Sequence, residues 1–335
     1  MDLKGYESVL CLTMAISLML VQVLPAVVGI ASPQVVYVFD SDDLCKLSKD
    51  CSFDKWSKGR TVVLMDDIDL KHKEFTPIPI FGGIFDGQGY SITGLSIKVE
   101  GSNQGLFRYE QEGGVVKNWI VEGSVVPEGD KSNVGGVVGN NSGLLENCSF
   151  SGRVEGKDNV GGLVGRNGTL GKIINCCSSG VVYGKSKAGG IAGSNAGTIL
   201  RCKNESSVNT TVEERRLESD ELTVDDISPL RSFVDVIDIG GIAGLNVGVV
   251  KGSENSGEVG YPHVGYNVGG IAGRQSGYVS ECLNYGKICG QKEVGGIVGQ
   301  MEPYVTATIP PSKLKELHKE INYLESTVDE LLGGV

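Results

Sequence analysis

Basic residues are too few in this 335-residue chain to make a nucleic-acid-binding surface. The chain has 30 Lys and Arg against 41 Asp and Glu, for a formal net charge of −11, whereas nucleic-acid-binding domains cluster an excess of Lys and Arg. Histidine is scarcer still, with His72, His263 and His318 in unrelated segments. A histidine triad or a zinc site needs several such residues together, so the sequence disfavours both.

Three signature motifs are also missing from the chain. It has no His-Glu-x-x-His zinc-protease motif and no Leu-Pro-x-Thr-Gly wall-sorting signal. Its glycine-rich stretches do not have the Gly-x-Gly-x-x-Gly order, and no helical pattern follows them, so they do not predict a phosphate-binding loop. We therefore expect no cofactor and no metal.

Glycine is abundant, with 50 residues, and much of it lies in one six-residue phrase that occurs six times. The start-to-start spacings are 26, 28, 51, 29 and 26 residues. Self-similarity at such a period is typical of stacked supersecondary units. The phrases are Val134-Gly-Gly-Val-Val-Gly139, Val160-Gly-Gly-Leu-Val-Gly165, Ala188-Gly-Gly-Ile-Ala-Gly193, Ile239-Gly-Gly-Ile-Ala-Gly244, Val268-Gly-Gly-Ile-Ala-Gly273 and Val294-Gly-Gly-Ile-Val-Gly299.

The repeated unit predicts β-structure rather than helix. Its apolar runs are short, rich in Val and Ile, and bounded by Gly, Asn and Ser. So much glycine would destabilise helices by about 1 kcal/mol per residue, but it suits tight corners where φ is positive. A 26-residue unit fits one coil of a right-handed parallel β-helix, a β-solenoid whose stacked coils bury a shared core.

One position after each phrase forms a second recurring feature, the cysteine slot. We predict that its occupants stack as a buried column of reduced, core-filling side chains, because Ser253 and Trp119 in the same slot show that pairing is not required. The column consists of Cys148, Cys176, Cys202, Ser253 and Cys282. Cys45 and Cys51, near the start, could form a disulfide if the helix containing them ends early.

The segments outside the repeats suggest a division into domains. Residues 1–31 contain an apolar run followed by Pro25 and small residues, which predicts a signal peptide, with an uncleaved anchor as the alternative. Residues 36–58 predict a capping segment whose helix starts with Ser41 as N-cap and runs to about Lys58. The β-solenoid follows over 59–302, with its first strand at Thr61–Met65 and an acidic insertion at 205–235 that lengthens one coil.

Residues 303–335 change character, because prolines give way to a heptad seam. Two alternatives stay open: a helix that packs its apolar stripe on the end of the solenoid, or coiled-coil self-association through 312–332. The seam residues are spaced 3, 4, 3, 4, 3, namely Leu314, Leu317, Ile321, Leu324, Val328 and Leu331.

The glycine phrase, with the opening Phe85-Asp-Gly-Gln-Gly-Tyr-Ser-Ile-Thr-Gly-Leu95, resembles the GLUG repeat over roughly residues 60–302. GLUG repeats occur in large exported bacterial proteins, including adhesin-like surface proteins and the N-terminal region of IgA-specific metallopeptidases. The arrangement of signal, capping helix, solenoid and helical tail is similar to that of exported proteins of clostridia-type bacteria. The resemblance implies an extracellular or cell-surface location and carries over no catalytic residue.

Two candidate sites were considered on the solenoid. Acids near the first coils (Asp66, Asp67, Asp69 and Asp86) could serve a polysaccharide lyase or hydrolase, but alternation with apolar residues and a glycine-rich turn favour solvated positions. Aromatic residues cluster after the insertion, and they predict a strip that binds a glycan or a surface protein, although tyrosines also serve as turn and core packers. The strip consists of Tyr261, His263, Tyr266 and Tyr285, with Tyr278 nearby.

The function that this pattern favours is a non-enzymatic extracellular or surface scaffold, an adhesin-like interaction module. The first alternative is a presentation domain of a larger surface protein such as a peptidase, and the second is a polysaccharide lyase or hydrolase. We expect no nucleic-acid partner, and membrane contact only through the N-terminal segment.

Overall fold

The structure is a computed structural model that describes residues 34–53, 55–129, 131–211 and 236–303. The predicted signal peptide, most of the acidic insertion and the heptad segment lie outside the described residues. Among the residues described, no helix combines the length and the apolar character needed to cross a membrane.

The fold is a β-solenoid in which every strand-to-strand pairing is parallel, as predicted. In the described part of the chain, thirty strands form three sheets that run along the stack, with 16 strands in sheet A, eight in sheet B and six in sheet C. Each regular coil passes through sheet C, then B, then A. Because strands from successive coils lie side by side, at about 4.8 Å in any parallel sheet, residues at equivalent positions of neighbouring coils are stacked.

Sheet A is the widest sheet and has two rows of strands. The first row contains β1 (Gln34–Val38), β2 (Arg60–Leu64), β5 (Ile84–Asp86), β8 (Val115–Val125), β11 (Leu144–Glu155), β14 (Lys172–Ile174), β18 (Thr198–Leu200), β23 (Val249–Lys251) and β27 (Tyr278–Ser280). The long strands β8 and β11 also extend into the second row, which contains β3 (Ile68–Asp69), β6 (Ser91–Ile97), β15 (Cys177–Tyr183), β19 (Lys203–Asn204), β20 (Ser207–Val208), β24 (Glu254–Asn255) and β28 (Leu283–Asn284).

Sheets B and C are built from uniform four-residue strands. Sheet B contains β4 (Ile78–Phe81), β7 (Phe107–Glu110), β10 (Val138–Asn141), β13 (Val164–Asn167), β17 (Ala192–Asn195), β22 (Ala243–Asn246), β26 (Ala272–Gln275) and β30 (Val298–Met301). Sheet C contains β9 (Ser132–Gly135), β12 (Asp158–Gly161), β16 (Ser186–Gly189), β21 (Ile237–Gly240), β25 (Tyr266–Gly269) and β29 (Lys292–Gly295).

A helix, α1 (Ser41–Asp50), covers the N-terminal end of the stack. Its buried Leu44 and Leu47 face the core, and Ser48 Oγ donates a hydrogen bond of 2.7 Å to the carbonyl of Thr76. The predicted helix end near Lys58 was wrong, because Cys51 caps the helix and turns follow. The predicted N-cap was wrong by one residue, since Asp40, whose Oδ1 accepts from the amides of Asp42 and Asp43, holds that position.

The first strand also lies earlier than the sequence predicted. β1 precedes α1 and pairs in parallel with β2, from Gln34 against Arg60 to Val38 against Leu64. The helix is therefore an excursion between two stacked strands. Only one of the five residues of β1 is buried, because the strand is the edge of the sheet, so the sequence has no apolar alternation to indicate it.

The glycines of the repeated phrase are required by close packing and not, as the sequence suggested, by positive φ. None of them has φ between +20° and +160°. A Cβ at Gly162 would lie 2.0 Å from Ser178 Oγ, and one at Gly165 would lie 2.3 Å from the backbone of Asn133. The phrase thus lies so close to sheet A at Gly162, and to sheet C at Gly165, that a larger residue does not fit at these positions.

Candidate functional site

The cysteine slot forms a buried column along sheet A. Cys148 pairs in register with Trp119, and the next coils place Cys176, Cys202 and Ser253 with at most 1% of each residue exposed. Burial raises the pKa of the Cys148 and Cys202 thiols. Cys282, in the last complete coil, is partly exposed, and Cys177, next to buried Cys176, is also partly exposed. The column therefore fills the core with small side chains that form no disulfides.

A second column, which the sequence analysis missed, consists of buried side-chain amides. Asn141, Asn167, Asn195, Asn246 and Gln275 each lie two residues after the last glycine of a phrase, and none is more than 4% exposed. Each Nδ2 donates to the side-chain oxygen of the next coil at 2.7 or 2.8 Å. Asparagine at a fixed offset in consecutive repeats was the signal that could have identified this amide ladder.

A shorter amide ladder runs along the second row of sheet A. Asn204 Nδ2 donates to Asn255 Oδ1, and Asn255 Nδ2 donates to Asn284 Oδ1, both at 2.7 Å. These side chains lie against the second glycine of a phrase. A Cβ at Gly190, for example, would lie 2.1 Å from Asn204 Cγ. The phrase glycines therefore make room for buried amides as well as for backbone.

Glu110 occupies the amide-ladder position one coil before Asn141. It is 2% exposed, and neither carboxyl oxygen has a hydrogen-bond partner among the described residues. The amide of Leu144 interacts with the carboxyl group but donates its hydrogen bond to the carbonyl of Gly114 at 2.9 Å. Removal from water raises the pKa of Glu110 to about 8.

The acids considered for catalysis are held by neighbouring turns. Asp67 Oδ1 accepts from the amide and hydroxyl of Ser91, which lowers its pKa. Burial opposes ionisation of Asp86, yet hydrogen bonds from Gln88, Asn118 and Lys117 lower its pKa. Asp66 and Asp69 accept from nearby backbone amides of Asp67 and Lys71. Each of these carboxylates therefore has a partner that holds it in its turn.

The links between sheets vary in length, and the range of lengths depends on which two sheets they join. From sheet C to B the link is always two residues, and from B to A it is two or four. We name the links from sheet A to sheet C the A–C corner. Counted from the last valine or isoleucine of sheet A that packs in the core (Val154, Val182 and Ile288), three of these links have three residues, namely 155–157, 183–185 and 289–291, although Glu155 and Tyr183 still belong to β11 and β15. The others are longer: 126–131, 209–236 and 260–265.

The loop at 260–265 carries two of the four residues of the predicted aromatic strip, Tyr261 and His263. Gly260, His263 and Gly265 have φ of 77°, 61° and 91°, and the amide of Val264 closes the turn on the carbonyl of Tyr261 at 3.2 Å. His263 is exposed, and Tyr261 is partly exposed. Tyr266 begins β25 directly after the loop.

Tyr285 and Tyr278 lie elsewhere, because Tyr285 directly follows β28 of sheet A and Tyr278 begins β27 of the same sheet. They are 68% and 58% exposed. Within the described ranges, these tyrosines make no ring-to-ring contact with one another. The aromatic contacts found there involve Tyr37, phenylalanines and Trp119. The structure therefore brings together Tyr261, His263 and Tyr266 at one corner, and it places Tyr285 away from that corner, directly after β28 of sheet A.

A row of polar residues with positive φ forms the base of the A–C corner, one residue before each phrase. Asn159 Nδ2 donates to Asn133 Oδ1, and Asn133 Nδ2 donates to Asn103 Oδ1, both at 2.8 Å. Two later members, Asn267 and Asp238, make the same contact at 2.7 Å. Asparagine tolerates positive φ better than most side chains, and its amide also links the coils.

An ion pair supports the corner next to the 260–265 loop. Asp238 is 2% exposed, and its Oδ2 lies 3.0 Å from Arg274 Nη2 on sheet B. Arg274 Nη1 also lies 3.4 Å from Glu302 Oε1. No group of three or more His, Cys, Asp or Glu side chains able to hold a metal ion occurs in the described part of the chain. The corner can therefore offer exposed rings and polar groups on a rigid base.

Comparisons with known proteins support the repeat and the fold. The model of the GLUG motif matches residues 131–155. A 71-residue segment is 39% identical to a protein of Evansella cellulosilytica described as a "putative Gly-rich membrane protein". That segment covers 21% of this chain and only 8% of the relative, so the match spans a small fraction of the relative's length.

A solved structure has a similar fold along most of the chain. It is the crystal structure of a protein of Bacteroides ovatus described as a "putative immunoglobulin A1 protease", with a TM-score of 0.53 and 18% identity. The alignment covers 81% of this chain and 83% of that chain. At this identity the likeness concerns the fold.

Proposed function

We propose that the protein is a non-enzymatic β-solenoid scaffold that works at the cell surface or outside the cell and binds partners through the loop at 260–265. The observation that carries the proposal is the uneven distribution of link lengths. Links from C to B never vary, whereas those at the A–C corner range from three residues to the 28 of 209–236. In solenoids, insertions on one face often mark the binding face, and loops on a rigid scaffold often bind ligands.

The chemistry of the loop favours a glycan or a protein surface as partner. Tyr261 and Tyr266 flank exposed His263, and tyrosine supplies an amphipathic contact surface with little loss of conformational entropy. Asp238 and Arg274 hold the neighbouring backbone. The binding groups would thus be presented with little reorganisation, which favours affinity.

The experiment that tests the proposal is binding of the purified protein to a glycan array and to isolated bacterial wall material. We expect the double variant Tyr261→Ala, Tyr266→Ala to bind at least about tenfold more weakly. A tenfold loss of affinity corresponds to about 1.4 kcal/mol of binding free energy. Tyr278→Ala is the matched control, because it removes an exposed tyrosine from sheet A. Tyr285→Ala tests whether the strip reaches that sheet. Equal binding by the double variant and the control would refute the loop as the binding site.

Export is part of the same proposal. The described membrane-protein relative supports a surface location, and residues 1–31 would direct it. Mass spectrometry of the protein from culture medium and wall fractions should find a mature N-terminus near Ser32. A protein confined to the cytoplasm would contradict the proposal.

A second candidate is a presentation domain for a peptidase or other activity. The observation that favours it is the similarity in fold to a chain described as an immunoglobulin A1 protease, 83% of which aligns with this solenoid. On this alternative the isolated protein binds no glycan, and cross-linking in its native host recovers a catalytic partner or a longer polypeptide.

A further inference from the structure

The C-terminal end of the stack leaves core positions uncovered. Among the described residues, the last strands β27, β28, β29 and β30 each pair on one side only, with β23, β24, β25 and β26. Val294 and Ile297 are 45% and 41% exposed, whereas their counterparts one coil earlier, Val268 and Ile271, are fully buried. The end therefore exposes side chains of the kind that fill the core elsewhere.

Met301 continues this apolar surface. It pairs in register with Gln275, the last member of the amide ladder, and is 73% exposed. An apolar side chain at that position cannot extend the ladder by a hydrogen bond. We name this apolar surface, formed by Val294, Ile297 and Met301, the terminal patch. It would fit an apolar partner rather than another coil that continues the amide ladder.

The opposite end of the stack shows how this fold covers such a surface. There α1 buries Leu44 and Leu47, and Ser48 bonds to the Thr76 carbonyl. Free edges of parallel strands otherwise promote association between chains. The chain contains one other segment with a helical apolar seam, at 312–332, and it follows the last coil directly.

We infer that residues 312–332 dock their seam on the terminal patch of the same chain. A helix from residue 313 to 331 would be about 28 Å long, and the nine residues at 304–312 can span about 30 Å, so the segment can reach across the end. Tethering through so short a linker gives an effective concentration in the millimolar range. Three heptads alone are marginal for association between chains, so the tethered contact is favoured over a dimer.

Native cysteines provide the reporter for this contact. Cys282 and Cys289 lie in the coils next to the terminal patch and are partly exposed, whereas Cys177 is a partly exposed reference in the middle of sheet A. Alkylation rates of the individual thiols in the full chain can be measured by mass spectrometry. Buried Cys148, Cys176 and Cys202 report any global unfolding.

The test compares two double variants that add the same charge. Leu317→Asp with Ile321→Asp disrupts the seam, and we expect Cys282 and Cys289 to react about tenfold faster while Cys177 does not change. Asn322→Asp with Ser326→Asp, on the opposite helix face, should leave all rates unchanged, and light scattering should find a monomer throughout. Unchanged rates in the seam variant would overturn the inference. So would a dimer that the seam variant dissociates, which would assign the seam to coiled-coil self-association.

Discussion

Glu110 lies in register with Asn141, at the one place where a carboxyl group takes the position that asparagine holds in the next four coils. Asn141 Oδ1 accepts a hydrogen bond from the amide of Gly143 at 3.0 Å and receives none from Glu110. The amide ladder therefore begins against a buried carboxyl group, and several measurable properties depend on this kind of contact between coils.

The first prediction concerns Glu110 and pH. Burial raises its pKa from 4.5 to about 8. Between these two pH values the folded protein therefore keeps a proton on Glu110 that the unfolded chain has already lost. The free energy of unfolding should therefore fall as pH rises from about 4.5 to about 8, by up to about 5 kcal/mol, and level off above. Urea denaturation across this range measures it.

Glu110→Gln should remove that pH dependence. A neutral amide needs no proton, and Gln275 shows that glutamine fits the ladder. We expect the variant to be more stable than the wild type at pH 8. Glu122→Gln, at an exposed position, serves as the control and should behave like the wild type. A wild-type stability that does not change between pH 5 and pH 8 would contradict the buried carboxyl group.

The second prediction concerns the middle of the amide ladder. Asn195→Leu removes the acceptor of Asn167 and the donor to Asn246, and buried polar groups left without partners cost about 1–3 kcal/mol each. We expect a loss of about 2–5 kcal/mol in the free energy of unfolding. Asn140→Leu, which changes a partly exposed asparagine on β10, should cost far less. Equal losses would show that the ladder contributes nothing specific.

The third prediction uses two glycines at the same position of the phrase. A Cβ at Gly162 would lie 2.0 Å from Ser178 Oγ and 2.2 Å from the carbonyl of Gly190, whereas one at Gly296 has no heavy atom within 4 Å. Gly162→Ala should destabilise the protein by at least about 2 kcal/mol through overpacking, and Gly296→Ala by no more than about 0.5 kcal/mol. Thermal unfolding distinguishes them. A tolerated Gly162→Ala would mean that β15 of sheet A can move away from the link between sheets C and B.

The fourth prediction concerns the ion pair at the A–C corner. Arg274→Met leaves the buried carboxylate of Asp238 without its cation, which should cost about 3–5 kcal/mol. Asp238→Asn should cost less, because asparagine suits the positive φ of 60° and can accept from Asn267 as Asn133 does from Asn159. The double variant should be more stable than Arg274→Met alone. If the two single variants lose equal stability, the asymmetry expected for a buried ion pair is absent.

The repeat made the architecture predictable from the sequence, because a fixed period assigns equivalent positions to successive coils. The β-solenoid was confirmed in this way. Cys148, Cys176 and Cys202 lie in the column that their common offset suggested. The same logic did not reveal β1, whose residues are mostly exposed and precede the first recognisable repeat.

Polar residues were harder to place than apolar ones. Asn141 and Asn195 looked like turn residues, since buried amides are rare unless both donor and acceptor are satisfied. In a solenoid an identical amide one coil away satisfies them, which no local pattern shows. Tyr285 was grouped with Tyr261 because they are near in sequence, whereas Tyr261 lies in the loop at the A–C corner and Tyr285 directly follows β28 of sheet A.

The rows of side-chain amides have electrical polarity, and they oppose one another. In the buried ladder Asn141 donates toward Asn167, in the direction of the C-terminus, whereas at the corner Asn159 donates toward Asn133, in the direction of the N-terminus. Aligned amides polarise their neighbours and add their dipoles, so a single row would accumulate a field as coils are added. The shorter ladder from Asn204 to Asn284 also donates toward the C-terminus, so the corner row offsets only part of this field. A longer stack of the same design would therefore gain less dipole than one whose rows all point the same way.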